Sequence, residues 1–221
     1  LTNPNTSGEI RYTLDGNVPT DTATLYTTSI PIFQGTAVSA ICIVPGYLDS
    51  EVEVNTYFIN QRELLPSISI TVPSYLMFSD SVGIYAFGDS ADAQYPFYGA
   101  NFWQDWEIPV HFEYYDINKV LQVKQFLGMK IHGGRVSRTN PQRSLRLLAK
   151  DKYGDGDVDY PLFPHKPDIT SVKRFVLRNA GGDFGYAHMR DPLMHYNGLE
   201  FGTNLDQSDY HATVVYINGL Y

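Results

Sequence analysis

Two consecutive glycines, Gly133 and Gly134, separate two segments in which apolar and polar residues alternate. FLGMKIHG leads into the glycines, and RSLRLLAK follows after a short polar stretch. Alternation with a period of two is typical of β-strands, and glycine adopts turn conformations that other residues disfavour. The stretch Phe126–Tyr160 therefore predicts a strand, a glycine turn with a basic loop, and a second strand.

The predicted loop carries the chemistry that a phosphate group needs. Backbone amides at a pair of glycines are accessible to a ligand, and guanidinium groups and a hydroxyl follow closely. The candidate phosphate ligands are Gly133, Gly134, Ser137, Arg138 and Arg143. Two structural alternatives stay open: the glycines form a hairpin turn with positive φ, and the arginines are solvated or pair with acidic neighbours.

Composition limits the classes of partner. The chain has 221 residues, of which 43% are hydrophobic and 14% aromatic, as expected for a folded globular protein. Its net charge of −8 disfavours general binding to nucleic acid, so any anion site must be a local basic cluster. No apolar run approaches the ~20 residues of a transmembrane helix, so we expect no membrane span in this chain.

The sequence assigns no metal ligands and no catalytic residues. Cys42 is the only cysteine and stands in the apolar run AVSAICIV, where a buried small hydrophobe is expected. The run Asp155–Asp159 places carboxylates at alternate positions, as at the start of a calcium loop, but no Glu follows at the twelfth position. His188 and His195 share a predicted helix face without a third ligand.

Residues 1–60 predict a small antiparallel β-sandwich of the immunoglobulin-like kind. EIRYTLDG alternates and then turns, and SIPIF, TAVSAICIV and VEVNTYFI are further short strands separated by glycine turns. The polar segment Asn60–Pro66 is the best domain boundary. We therefore predict one domain over 1–60 and a second over 61–221.

The second domain predicts a mostly antiparallel sheet with one main helix, so the fold class is α+β. Strands are expected in SISITV, GIYAFG, NFWQDWEIPVHFEYYD, FLGMKIHG, RSLRLLAK, KRFVLRNAGG and ATVVYING. The helix is expected over 188–200 with Pro192 in its first turn, where proline is tolerated. Met189, Leu193 and Tyr196 would share one face of this helix.

Aromatic residues are concentrated in the segment 95–106. They are Tyr95, Phe97, Tyr98, Phe102, Trp103 and Trp106. Exposed aromatic rings bind sugars, whereas packing in the core is the structural alternative for the same side chains.

Residues 1–60 resemble the chitobiase C-terminal-like module, also called Fn3-associated. The hallmark YTLDGxxPT stands at Tyr12–Thr20, and the ending of the module stands at Gly46, Ser50 and Thr56–Tyr57. The resemblance implies that the leading strand of the module is cut short at Leu1. Such modules occur in carbohydrate-active proteins, which makes a glycan a candidate partner.

Residues 66–221 resemble the N-terminal part of the CotH-like family, which is named after a spore-coat protein. The matching motifs are Gly83-Ile84-Tyr85, Asn101, Trp106-Glu107, Phe112-Glu113, Gly128, Ile131-His132-Gly133-Gly134, Ser137-Arg138, Pro141–Leu147, Tyr153-Gly154, Tyr160–Phe163, Leu177-Arg178-Asn179, Asp183, Arg190-Asp191 and Tyr216–Gly219. This family is kinase-like and bacterial. The resemblance implies the N-lobe of an atypical protein kinase that uses ATP and Mg²⁺ and phosphorylates secreted or surface proteins. It also implies a secreted or cell-surface location, with a lipid anchor in a preceding segment.

In a kinase N-lobe, a basic residue on the third strand meets the phosphates and pairs with an acid on the helix. Here the base is Arg178 or Arg174, and the acid is Asp191 or Glu200. Arg178 and Asp191 therefore join the predicted nucleotide-binding set. The catalytic and metal-binding aspartates of the family lie downstream of the last matching motif, so we expect this chain alone to be inactive. The alternative is a non-catalytic surface scaffold that attaches to glycans or to a protein partner.

Overall fold

A computed structural model describes residues 1–2, 7–61, 64–203 and 205–221. Arg62 and Glu63, which belong to the predicted domain boundary, lie outside the described residues. The structure is mostly β with few helices, which confirms the β-rich prediction. Across the described ranges, every helix is too short or too polar to cross a membrane.

The described residues form ten strands and three α-helices. The strands are β1 Glu9–Thr13, β2 Thr24–Leu25, β3 Thr36–Ile43, β4 Glu53–Tyr57, β5 Ser67–Thr71, β6 Ile108–Tyr115, β7 Leu121–Ile131, β8 Leu145–Leu148, β9 Arg174–Leu177 and β10 Val214–Ile217. The α-helices are α1 Ser74–Phe78, α2 Arg135–Thr139 and α3 Arg190–Glu200. Short 3-10 helices occupy Asn101–Trp103 and Gly181–Asp183.

The described chain packs into two compact units. The first unit comprises Leu1–Tyr75, His111–Lys124 and Thr213–Tyr221. The second unit comprises Leu76–Val110 and Gln125–Ala212. The division into domains over 1–60 and 61–221 stays a prediction.

The first unit contains a four-stranded antiparallel sheet in the order β2-β1-β3-β4. Tyr12 stands opposite Ala40, and Val38 stands opposite Asn55. The predicted strand in SIPIF is wrong, because the segment Ser29–Phe33 contains no strand. Its proline has no N–H to donate to a ladder, and its phenylalanine is 84% exposed.

Strand β4 of this sheet is hydrogen-bonded to two strands that follow the predicted boundary. The Thr56 hydroxyl lies 2.7 Å from Ser69 Oγ on β5 and donates to Glu113 Oε2 on β6 at 2.5 Å. The Tyr115 hydroxyl donates to the other carboxyl oxygen of Glu113 at 3.0 Å. Burial raises the pKa of Glu113, although these hydrogen bonds favour its charged form.

The remaining strands form a mixed sheet in the order β10-β5-β6-β7-β8-β9. Within the first unit, β10 runs parallel to β5, with Tyr216 opposite Ser69. Strand β6 is antiparallel to β5, and the predicted strand around Ile108 and Phe112 is confirmed. Within the second unit, β7, β8 and β9 are antiparallel.

The predicted strand in GIYAFG is wrong, because this segment is a turn. Its backbone closes back on α1: the amide of Ile84 donates to the carbonyl of Leu76, and the amide of Tyr85 donates to that of Met77. These amides are therefore not available for a sheet.

The predicted helix is confirmed as α3, and Pro192 is its third residue. The strand predicted over KRFVLRNAGG is shorter than expected, since β9 ends at Leu177. Ala180 follows with φ of 63°, a left-handed conformation that ends extended structure. Met189 and Leu193 are exposed in the described chain, so the apolar face predicted for the helix is not buried there.

Candidate phosphate-binding face

The antiparallel strands β7, β8 and β9 have one apolar face and one mixed face, called here the polar side, on which Val176 and Leu148 lie among cationic residues. Met129, Leu147 and Phe175 are buried on the apolar side. Because side chains alternate along a strand, Lys130 and Arg146, which stand opposite each other, lie on the polar side.

The same polar side continues for one more position on each strand. The amide of His132 donates to the carbonyl of Ser144 at 2.8 Å, which extends the pairing of β7 with β8. Since Leu145 pairs with Leu177, the next position along β9 brings Arg178 beside Ser144. We call Lys130, Arg146 and Arg178 the cationic face, and His132 lies on the same side.

Electrostatics agree with this register. Burial lowers the pKa of His132, and the positive charges of Arg146, Arg138, Arg178 and Lys130 lower it further. Four cationic side chains are therefore close enough to His132 to disfavour its protonation. In a chain of net charge −8, this is a local concentration of positive charge.

The cations of this face differ in their partners. Lys130 Nζ lies 2.7 Å from Asp105 Oδ1, and the Arg178 guanidinium pairs with Asp191. Among the described residues, Arg146 forms no salt bridge, and its side chain is only partly exposed. The hydrogen bond from Lys130 and, to a smaller extent, the positive charge of Arg146 lower the pKa of Asp105. A partly buried guanidinium has unfavourable desolvation unless an anion accepts its hydrogen bonds.

Of the candidates for a strand base (Arg178 or Arg174) and a helix acid (Asp191 or Glu200), Arg178 and Asp191 form an ion pair. Asp191 is the second residue of α3, so the pair links the end of β9 to the first turn of the helix. The two side chains are 55% and 45% exposed, so the pair contributes little to stability. His195 Nε2 lies 3.9 Å from Asp191 Oδ1. Contact of either residue with a nucleotide stays a prediction.

The predicted glycine loop contains the short helix α2. Gly133 has φ of +97°, and a Cβ at this position would lie 2.6 Å from Ser137 Cβ. Gly133 is therefore required for the turn and for the close approach of the helix. Gly134 has negative φ and open space where a Cβ would stand, so only the first glycine has a structural explanation.

The side chain of Asn179 forms hydrogen bonds with the backbone of the glycine loop. Its side chain is buried, and its Nδ2 donates to the carbonyls of Ser137 and Gln142, at 3.2 and 2.5 Å. Its Oδ1 accepts from Ser144 Oγ at 2.8 Å and from the Gly181 amide at 3.0 Å. All the hydrogen-bonding capacity of this amide is used within the protein.

Arg138 and Arg143, both predicted phosphate ligands, interact with protein groups. Arg138 Nε donates to the carbonyl of Gly133 at 2.7 Å, and its Nη1 donates to the carbonyl of Phe102. Arg143 is 8% exposed, and its guanidinium lies 4.2 Å from the ring centre of Phe102 and 4.6 Å from that of Tyr85. Their contact with a nucleotide stays a prediction. Arg138 donates to two backbone carbonyls, whereas the guanidinium of Arg143 packs on rings and its buried Nε has no hydrogen-bond partner among the described residues.

A carboxylate balances the positive charge at the other end of these strands. Burial opposes ionisation of Glu107, but hydrogen bonds from Lys150, Lys152 and Tyr153 outweigh it and lower its pKa to about 2. Glu107 lies over Gly128, where a Cβ would stand 3.0 Å from Oε1. The cationic face is therefore bounded on this side by a charged carboxylate.

Within the described ranges, no three His, Cys, Asp or Glu side chains are placed to hold one metal ion. The alternating carboxylates of Asp155–Asp159 are thus not assembled into such a group. Gly156 between them packs against Asp151, whose Oδ1 would lie 2.4 Å from an added Cβ.

Sequence reasoning missed two members of the cationic face, Lys130 and Arg146. The signal was present in the alternation of the two strands, since both residues stand between apolar positions. Only the register shows that they are opposite each other.

Comparison with known proteins identifies the beginning of the chain. Residues 1–54 match the family model of the chitobiase/beta-hexosaminidase C-terminal domain, which confirms the prediction for the N-terminal module. No curated protein matches the chain. No solved structure matches it either. The match covers less than half of the 221 residues, and the cationic face lies outside it.

Proposed function

We propose that the cationic face binds the phosphate groups of a nucleotide. The observation that carries the proposal is Arg146, a partly exposed guanidinium that forms no salt bridge among the described residues and stands opposite Lys130 on β7. Its partner on β9 is Val176, and Arg178 follows two residues later. Lys130 and Arg178 each hold an exposed or half-exposed carboxylate that an incoming phosphate could displace. Charge-assisted hydrogen bonds to phosphate are the interaction that arginine forms best.

The CotH-like resemblance makes ATP the nucleotide that this proposal favours. In that family, the kinase-like N-lobe places a basic residue of the third strand against the phosphates, and a helix acid orients it. The Arg178–Asp191 pair supports this arrangement, since it joins a strand end to the first turn of α3. Arg146 and Lys130 would then contact the phosphates in place of Arg138, which donates to two backbone carbonyls, and of Arg143, which is buried against aromatic rings.

The proposal for these residues is binding, and it assigns no transfer step. The proposal names no Mg²⁺ ligand in this chain, and the metal would enter with the nucleotide. Within this proposal, the intact protein is a secreted or surface kinase that acts on protein substrates. A surface scaffold that attaches to glycans or a protein is the second candidate, and the N-terminal match to a chitobiase/beta-hexosaminidase C-terminal domain favours it.

Calorimetric titration of the 221-residue chain with ATP·Mg and with inorganic tripolyphosphate tests the proposal. Losing one charged hydrogen bond costs about 1.5–3 kcal/mol, so Arg146→Gln should weaken both ligands roughly 10- to 100-fold. Lys173→Gln is the matched control, because it removes one exposed charge just before β9. Equal affinities in the two variants, or no binding by the unmodified chain, would refute the proposal.

A further inference from the structure

The loop over residues 92–98 forms a depression of its own in the second unit. Its lining comprises Asp92, Ala93, Gln94, Tyr95, Pro96 and Tyr98. The cavity volume of about 420 Å³ lies within the roughly 300–1,000 Å³ of small-molecule sites. This size suits one or two sugar rings.

The loop is closed by its own hydrogen bonds and is therefore a fixed shape. The amide of Asp92 donates to the carbonyl of Tyr98 at 2.7 Å, which joins the two ends. Phe97 donates its amide to the carbonyl of Gln94 at 2.8 Å. The indole N–H of Trp103 donates to the carbonyl of Pro96 at 2.9 Å, which anchors the loop from below.

Two tyrosine rings of this loop are held at the surface by aromatic neighbours. Tyr98 packs on Trp103 with ring centres 5.0 Å apart, and Tyr95 meets Phe97 edge-on at 6.1 Å. Yet Tyr95 is 55% exposed and Tyr98 is 50% exposed. These rings are supported from one side and open on the other, unlike the fully buried Phe102 of the same cluster.

Polar groups accompany the exposed rings. The side chains of Asp92 and Gln94 are exposed, and neither has a hydrogen-bond partner among the described residues. A carboxylate and an amide accept and donate hydrogen bonds to hydroxyl groups, while aromatic rings pack against apolar C–H faces. A pyranose presents both surfaces: hydroxyls at its rim and C–H groups on its face.

We propose that the 92–98 loop binds a neutral oligosaccharide through Tyr95, Tyr98, Asp92 and Gln94. The described lining contains a carboxylate and no Lys, Arg or His, so an anionic sugar or a phosphate is disfavoured. The site shares no residue with the cationic face. A test of sugar binding at this loop is therefore independent of a test of triphosphate binding at the cationic face.

Titration of the full chain, monitored by NMR, tests this site with four probes. They are a β-1,4-linked glucose hexamer, an N-acetylglucosamine hexamer, a galacturonic acid hexamer and adenosine. We expect at least one neutral hexamer to bind. Tyr95→Ala and Tyr98→Ala should each weaken that binding about tenfold, because each removes one stacking surface. Tyr98→Phe should retain most of the affinity.

Tyr186→Ala is the matched control, because Tyr186 is also an exposed tyrosine of the second unit and lies outside the loop. Urea unfolding of each variant shows whether the fold is intact. The inference is overturned if neither neutral hexamer binds at millimolar concentration, or if only adenosine or the acidic hexamer binds. It is also overturned if the loop variants bind as well as Tyr186→Ala.

Discussion

Asn179→Ala should destabilise the second unit more than most single substitutions. Asn179 makes four side-chain hydrogen bonds, to Ser137, Gln142, Ser144 and Gly181. Each is worth about 0.5–1.5 kcal/mol, and leaving the buried partners unsatisfied adds to the cost. The expected loss is therefore about 3–4 kcal/mol in the free energy of unfolding.

Asn140→Ala is the matched control for this prediction. Asn140 belongs to the same loop, and its amide makes one hydrogen bond, to the carbonyl of Gly181 at 3.2 Å. Its removal should cost about 1 kcal/mol. The difference between the variants isolates the effect of the buried network.

Urea unfolding followed by tryptophan fluorescence is a suitable assay. Trp103 and Trp106 are the only tryptophans, and both lie in the second unit together with Asn179. A lower midpoint at unchanged slope reports a loss of stability. If Asn179→Ala lost no more stability than Asn140→Ala, the loop would not depend on this network.

Two further predictions concern charge and backbone. Because the pKa of Glu107 is lowered from its ordinary value of 4.5 to about 2, its ionised form stabilises the fold. The lysine partners are partly exposed, so solvent screening reduces the effect. The unmodified chain should therefore be about 2 kcal/mol more stable than Glu107→Gln. This stabilisation is fully present above pH 4.5 and is lost as the pH falls towards 2. Urea midpoints of both proteins across this pH range would measure it. A difference in midpoint that does not change with pH would contradict the prediction. Gly133→Ala should lower the free energy of unfolding by about 1–3 kcal/mol, because Gly133 has positive φ and an added Cβ would clash with Ser137. Gly134→Ala should be nearly neutral. Equal thermal midpoints of the two variants would contradict the prediction.

Local pattern was sufficient to predict much of the strand content. The alternation in β6 and β8 is visible in the sequence, and both strands are present. The GIYAFG segment has the same apolar character, but its amides bond to α1, a partner that strand periodicity does not indicate. The parallel pairing of β10 with β5 joins residues about 150 positions apart, which no local signal specifies.

Local sequence pattern also predicted only part of the candidate site. Arg178 and Asp191 are two of the four candidates for the strand base and the helix acid, and the structure pairs them. The environment of Arg143 was not predicted, since the rings of Tyr85 and Phe102 that enclose it come from distant segments. Arg146 gained its importance only from the register with Lys130. Residue type indicated cationic chemistry, and tertiary contacts decided which cations have no partner.

The most direct measurement compares the dissociation constants of the tripolyphosphate complexes of Arg146→Gln and Lys173→Gln at the same salt concentration. Both variants lose one positive charge, so long-range attraction is matched. We expect the Arg146 variant to bind at least about tenfold more weakly, because a directed phosphate contact is lost. A ratio near one would mean that the row of cations on β7, β8 and β9 does not hold phosphate.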